Sequence, residues 1–380
     1  MRIGIDGSCI LSRKTGIGYF TQKLLEEIFV IKSPHEFVLF LNSYRHPVPE
    51  LAFLKNPAVR VKHFRIPGPV LVHAWRYLRF PPIEMLTGFL DLFHSTTGYF
   101  PPQIRGKRIA TVYDLFFMKH PELCDQLGGG YYAKVFPKHL PGYDHIIAPS
   151  NTTKHDLMDL LKIPEEKITV IYGGVDQQRF HLITDHELLE TVRQEYCLPR
   201  HYILSVCTLE PRKNLEGLLI AYSRLKEILY NPPKLVIVGR EGWGGQEIKA
   251  AVRQHNLVQD VLFTGYIPEE HLPVLYNGAL LFVYPSLWEG FGLPVLESMA
   301  CGAPCVISNT PALVEIAEEA AITIDPYNYY EMAERIKDLI TSHHLREVLQ
   351  QKGLAHVQKF SWSLTAQKTL RVYERVLGMK

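Results

Sequence analysis

Residues 202–222 read YILSVCTLEPRKNLEGLLIAY. The first eight positions are apolar almost without a break, which suits a strand covered on both faces rather than one with a wet side. From Asn214 onward the apolar residues recur at helical spacing, and the pattern runs to 229. A strand that passes through a short polar loop into a helix is the opening of a βαβ unit. The same alternation continues downstream. KLVIVGR (234–240), VLFTG (261–265), LLFVYPS (280–286), APCVISN (303–309) and AITID (321–325) read as strands. Helical patterns at 246–256, 269–278, 294–301, 311–318 and 328–341 separate or follow them. This spacing predicts right-handed crossovers and a parallel, doubly wound sheet.

The first half carries the same theme less cleanly, in RIGID (2–6), EFVLFLN (36–42), VRVKHF (59–64), LDLFHS (90–95), RIATVYD (108–114), HIIAPS (145–150) and ITVIYGG (168–174). A chain of 380 residues exceeds what one core usually serves. Two similar α/β domains are therefore expected, 1–175 and 201–360, joined by a polar connection over 176–200. Behind Ser361, a residue suited to capping, a last helical pattern runs to Val376.

Composition excludes several classes. The net charge is only +2, so no global field points to nucleic acid. The six cysteines form no CxxC pair and no metal-type array, and they read as small buried hydrophobes in a reducing compartment. No apolar run approaches the roughly 18 residues of a membrane span, and the start is too polar for a signal peptide. A cytoplasmic protein is expected, with no metal and no cofactor.

Open parallel sheets bind ligands at the carboxyl ends of their strands, so the loops there carry the chemistry. In RKTGIGYF (13–20), Gly16 and Gly18 fit either a backbone approach to a diphosphate or a flexible turn. In CTLEPRKNLEG (207–217), Arg212 and Lys213 stand at a helix beginning, where cations oppose the helix dipole unless an anion arrives. The glycines of VGREGWGGQEI (238–248) fit equally a space for a nucleoside and a mobile loop. In WEGFGLPVLE (288–297), Pro294 suits a first helical turn, and Gly290 and Gly292 leave the preceding amides unobstructed. Glu289 and Glu297 bracket that bend, and paired carboxylates suit a ligand bearing hydroxyls. In the first half, Tyr113 and Asp114 follow a predicted strand and face the same kind of crevice, whereas His94 and His120 read as structural. The stretch 60–82 interleaves Arg60, Lys62, Arg65, Arg76 and Arg79 with Trp75, Tyr77, Leu78 and Phe80. It fits an anionic lipid surface and a packed helix with snorkelling arginines equally well.

EGFGLPVLE resembles the Glu-x7-Glu signature of the retaining GT-B glycosyltransferases of family 4 (group 1), with Glu289 and Glu297 as the two acids. LEPRKN, ITVIYGGVDQQRF, FSW and the passage from FTGYIPEEH to CGAPCV carry the likeness over nearly the whole chain. The resemblance implies two Rossmann-like domains with an interdomain cleft. It places a nucleotide-sugar donor in the C-terminal domain, an acceptor in the N-terminal one, and the closing helix, 361–380, back on the first domain. It further implies that Arg212 and Lys213 hold the diphosphate and Glu297 the ribose hydroxyls. Glu289, Gly290 and the amides of Phe291, Gly292 and Leu293 would hold the sugar and its phosphate. Gly16 would lie in a loop over the donor, with Gly18 beside it, and Tyr266 would shape the base pocket. Tyr113 stands where many relatives have histidine, and Cys207 where glycine is common.

TVYDLFFMKHPEL and APSNTTKHDL resemble bacterial mannosyltransferases of polysaccharide assembly. That likeness implies transfer of mannose from GDP-mannose, with a UDP-sugar as the second choice, to a glycan or lipid-linked acceptor. Transfer would retain the anomeric configuration and need no metal, and 60–82 would touch the inner face of the membrane. Two rival readings share the layout: an enzyme that epimerises UDP-N-acetylglucosamine, and a non-catalytic two-domain solute-binding protein. A nicotinamide dehydrogenase is disfavoured because the third glycine of its fingerprint is missing.

Overall fold

The computed structural model describes residues 1–11, 16–124 and 126–379. The chain forms two compact units. The first is built from Met1–Pro121, Gln126–Gly174 and the C-terminal stretch from Trp362, and the second mainly from Val175–Ser361. Residues 176–200 thus pack with the second unit and include a helix, His186–Glu195.

In the first unit the strands are β1 (Arg2–Asp6), β2 (Glu36–Asn42), β3 (Val59–Phe64), β4 (Leu92–Ser95), β5 (Lys107–Thr111), β6 (His145–Ala148) and β7 (Ile168–Val170). They form one parallel sheet in the order β3-β2-β1-β4-β5-β6-β7. In the second, β8 (Tyr202–Val206), β9 (Lys234–Val238), β10 (Val261–Gly265), β11 (Leu281–Tyr284), β12 (Cys305–Ser308) and β13 (Ile322–Ile324) are ordered β10-β9-β8-β11-β12-β13, again all parallel. Each order reverses direction once, between β1 and β4 and between β8 and β11. Such switch points open a crevice at the carboxyl ends of the strands.

The strands end two to four residues short of several apolar runs, because the last residues of those runs bend into the crevice loops. Helix Leu215–Ile228 buries Leu218, Leu219, Tyr222 and Leu225 completely, in one core with Met332, Ile336 and Leu339 of helix Tyr329–Thr341. Each such aliphatic side chain contributes about 1.5–3 kcal/mol. Among the helices not anticipated is His343–His356, whose sparse apolar positions give a weak periodic signal. Ser342 caps it by accepting from the Leu345 amide, and Gly353 gives Met299 room against it.

The closing helix, Trp362–Val376, packs into the first unit. Trp362 meets Phe20 edge-on at 5.0 Å, and Thr365 donates to the Tyr172 carbonyl at 2.8 Å. The fully buried His94 joins Tyr373 of this helix (2.6 Å) to Thr111 of β5 (2.8 Å). Burial pushes the His94 imidazole down to about 3, so it is neutral, with one nitrogen donating and the other accepting. Among the described residues no helix is long and apolar enough to cross a membrane.

Candidate active site

The crevice of the second unit is built where β8 and β11 diverge. Beyond β8 the chain makes a 3-10 turn, Pro211–Lys213, and then places Asn214 at φ +54 ahead of helix Leu215–Ile228. A left-handed conformation is uncommon outside glycine, and asparagine tolerates it best. Here the Asn214 amide is also held by the carbonyls of Pro285 (3.2 Å) and Pro326 (2.8 Å). The Leu287 amide donates to the Arg212 carbonyl at 2.8 Å. The loops after β8 and β11 are thereby tied together before any charged side chain is considered.

Across this joint lies a buried ionic cluster. Lys213 Nζ donates to Glu289 Oε1 at 2.5 Å and to the Tyr284 hydroxyl at 2.9 Å. Arg212 reaches the other carboxylate oxygen, Glu289 Oε2, and the Trp288 carbonyl, both at 3.1 Å, and pairs with Glu210 at 2.7 Å. Burial alone would push the Glu289 carboxyl up. The Lys213 and Arg212 cations outweigh it and hold the group at about 2. The two cations are thus held in place by the carboxylates of Glu289 and Glu210.

Glu289 leads into Gly292, which sits at φ +114 immediately before helix Leu293–Ala300. A β-carbon there would lie 2.5 Å from Leu313, so glycine is required twice over. Pro294 occupies the first turn, and the amides of Phe291, Gly292 and Leu293 lead into the helix N-terminus. Glu297, one turn further on, is buried and accepts from the Tyr276 hydroxyl at 3.2 Å. Burial pushes its carboxyl up to about 7, only partly offset by Tyr276 and Arg179. Arg179 is itself paired with Glu269 at 2.7 Å. The unfolded chain ionises Glu297 near pH 4.5 and the native chain near 7, so native stability drains away as pH rises through that window. Glu297→Gln is therefore expected to gain about 3 kcal/mol on the wild type between pH 4.5 and 8. Urea denaturation at both pH values measures it, and a pH-independent difference would refute it.

Glycines within 238–248 are required by close packing against the loop after β8. Gly239 sits at φ +145, and a β-carbon there would lie 1.8 Å from the Cys207 carbonyl oxygen. One at Gly242 would meet the Leu209 carbonyl oxygen at 2.6 Å, and one at Gly244 the Pro211 ring at 2.7 Å. These glycines let the two loops pack backbone to backbone, so the turn carrying Arg212 and Lys213 rests on a firm floor. Tyr266, just after edge strand β10, is well exposed and has no part in the ionic cluster.

The remaining expected residues belong to the first unit. Gly16 and Gly18 fall in the first turn of a helix, Gly16–Val30. The helix buries Phe20, Thr21, Leu24, Leu25 and Ile28. Arg13, Lys14 and Thr15 of that stretch lie outside the described residues. The Tyr113 hydroxyl is 3.1 Å from Thr21 Oγ1, its ring packs edge-on to Phe20, and burial pushes its phenol up. Asp114 accepts from the Phe116 amide at 3.1 Å at the head of the short helix Phe116–Lys119. His120 packs on Phe116.

Four residues of structural note escaped the sequence reading. Tyr284 holds Lys213, Tyr276 holds Glu297, and Asn214 ties the loops that carry them. Asp6, buried at the carboxyl end of β1, accepts from the Ser8 amide (2.9 Å) and Thr97 Oγ1 (2.6 Å). A polar side chain ending an otherwise apolar strand was the available signal for Tyr284 and Asp6.

Comparisons with known proteins agree with this architecture. Residues 189–356 match the family described as "Glycosyl transferases group 1", and residues 30–179 match "Glycosyltransferase Family 4". The chain is 28% identical to O-antigen chain mannosyltransferase B of Escherichia coli, over 95% of this chain and 96% of that protein. It is 30% identical to the serotype-specific mannosyltransferase WbdA of Escherichia coli over 62% of this chain, corresponding to 29% of that longer protein. Its fold matches a sucrose-phosphate synthase from Thermosynechococcus elongatus with a TM-score of 0.81 at 21% identity, covering 99% of both chains. With two parallel-sheet domains and two family matches that between them span most of its length, the chain is a glycosyltransferase of GT-B fold and belongs to the group 1, family 4 glycosyltransferases.

Proposed function

We propose that the enzyme moves mannose from GDP-mannose to a hydroxyl of a glycan or lipid-linked acceptor on the cytoplasmic side of a membrane, with retention at the anomeric carbon and without a metal. The observation that carries this reading is the buried Arg212–Lys213–Glu289 cluster beside the Gly292-headed helix. Breaking the bond from the anomeric carbon to the diphosphate leaves negative charge on a phosphate oxygen. Preorganised donors aimed at developing charge are usually the largest contribution to such a step. Arg212, Lys213 and the amides of Phe291, Gly292 and Leu293 fill that role. As the new bond forms from the acceptor oxygen on the same face, the acceptor proton passes to the departing phosphate oxygen, and no protein nucleophile is required.

Glu289 orients the transferred sugar, with Gly290 leaving space beside it, and Glu297 takes the ribose hydroxyls. Tyr266 lines the base pocket. Gly16, Gly18, Tyr113 and Asp114 contribute from the acceptor-binding first unit, Tyr113 as a neutral hydrogen-bonding group. The mannosyltransferase names of the relatives favour mannose over other hexoses. A thermal-shift panel of GDP, UDP and ADP sugars tests the donor, since a selective ligand raises apparent stability by about 2.7 kcal/mol at a hundredfold excess over Kd. The largest shift is expected with GDP-mannose. A shift with UDP-glucose and none with GDP-mannose would overturn the donor assignment.

A further inference from the structure

We infer that the surface of the first unit around Val70 and Tyr77–Phe80 docks on a bilayer containing anionic phospholipid. The inference deepens the proposed use of a lipid-linked acceptor and takes its purpose from that reading. Four large apolar side chains fall within eleven residues here, with Val70 59%, Tyr77 65%, Leu78 74% and Phe80 54% exposed. Single exposed hydrophobics are ordinary, whereas a group of this kind marks an interaction surface. Their exposure is not a defect of packing. Beneath them Val38, Phe40, Leu71, Trp75, Ile83, Leu90 and Phe93 close a core of their own. Trp75 is buried, and its indole N–H donates to the Pro81 carbonyl at 3.0 Å. Tryptophan is therefore not the anchor here, and the apolar contact falls to Tyr77, Leu78 and Phe80. These follow a helix, Gly68–His73, that continues into a π-helical turn, Ala74–Leu78.

Charge selects the occupant. No acidic residue occurs between Glu50 and Glu84, while the interval holds six Lys and Arg residues. Of these, Arg60 lies on β3 and is paired with Glu36 at 2.7 Å, so it is partly neutralised. Among the described residues neither Arg76 nor Arg79 has a carboxylate partner. Arg76 lies over the Tyr77 and Tyr131 rings, at 5.0 and 5.6 Å, and Arg79 reaches His139 Nδ1 at 3.2 Å. Burial, then Arg79 itself, pushes the His139 imidazole down to about 4, so it stays neutral and does not repel the guanidinium. Cations without a carboxylate partner among the described residues, flanking exposed apolar side chains, fit a surface with hydrocarbon below and phosphate above. A second protein surface would have to supply both, and a nucleic acid would leave Leu78 and Phe80 without a partner.

The test is flotation of the full chain with vesicles of phosphatidylethanolamine and phosphatidylglycerol, against vesicles of phosphatidylcholine alone. The wild type is expected to float with the anionic vesicles, less so at high salt, and weakly with the neutral ones. Arg76→Gln/Arg79→Gln should bind the anionic vesicles about tenfold or more weakly, at about 1 kcal/mol for each basic side chain. Tyr77→Ser/Leu78→Ser/Phe80→Ser should lose binding at any salt concentration. Both variants should transfer sugar to a short soluble glycan at the wild-type rate, and less to an acceptor anchored in the vesicle. Absence of wild-type flotation, or flotation indifferent to both variants, would overturn the docking surface. So would a dimer in sedimentation that the serine variant disperses without any vesicle binding. Vesicle binding with no transfer to any acceptor would instead count against the proposed reaction and leave the docking surface standing.

Discussion

Lys213→Ala is expected to lower turnover at saturating donor at least about a hundredfold, the loss typical when a preorganised donor to developing charge is removed. The geometry gives reasons beyond the charge itself. The ammonium is buried, held at 2.5 Å from Glu289 and 2.9 Å from the Tyr284 hydroxyl, and stands on a turn whose floor is the close-packed glycine loop. It therefore keeps one position as the diphosphate departs and needs little reorganisation. Because donor saturation removes any effect on binding, the loss should appear in kcat. Steady-state kinetics with a folded variant, verified by its denaturation curve, decide the matter. Turnover close to wild type would show that Lys213 only neutralises Glu289.

The second large effect separates those two roles. Removing Lys213 leaves Glu289 buried with Arg212 as its remaining cation among the described residues. The expected destabilisation is about 3 kcal/mol, the lower end for an uncompensated buried charge. Removing Glu289 as well takes away the stranded anion, while Arg212 keeps Glu210 at 2.7 Å. Lys213→Ala/Glu289→Ala is therefore expected to be more stable than Lys213→Ala alone, with a coupling energy of about 1.5 kcal/mol or more. Turnover should stay low, because neither the phosphate-facing cation nor the sugar-orienting acid returns. Urea denaturation of the two single variants and the double variant measures the coupling. Additive losses would mean that the pair is not coupled in the folded enzyme. In the wild type, Glu289 has its carboxyl held low, so its contribution is complete above the ordinary glutamate range and is lost as pH falls toward 2.

Much of this arrangement was legible before the structure. Apolar runs such as YILSV and KLVIV announce doubly covered strands, and the helices between them follow from local spacing. The acids of WEGFGLPVLE could be singled out because they bracket one glycine-rich bend, and the cations of EPRKN because they oppose the dipole of the helix they precede. Gly292 was readable as well, since a glycine just ahead of Pro294 has few other reasons to be there. Less was readable where a residue's role depends on what approaches it from far along the chain. Gly239 fitted a space for a nucleoside and a mobile loop equally, and its close approach to the Cys207 carbonyl emerges only in the structure. The burial of Trp75 was not readable, because composition does not say which side of a helix faces the core.

What the amino-acid sequence determined by itself was the run of strands and helices, the doubling of the α/β theme and the chemical kinds of side chain offered at the loop ends. These are local properties, set by periodicities of two and of about 3.6 residues. What only tertiary structure decided was the pairing. Lys213 and Glu289 are 76 residues apart and meet because β8 and β11 are neighbours in the sheet, an adjacency set by strand order. The opposite states of Glu289 and Glu297, one held ionised and one pushed toward neutrality, follow from which side chains that order brings to each. Two glutamates of one motif carry no such difference in their own chemistry.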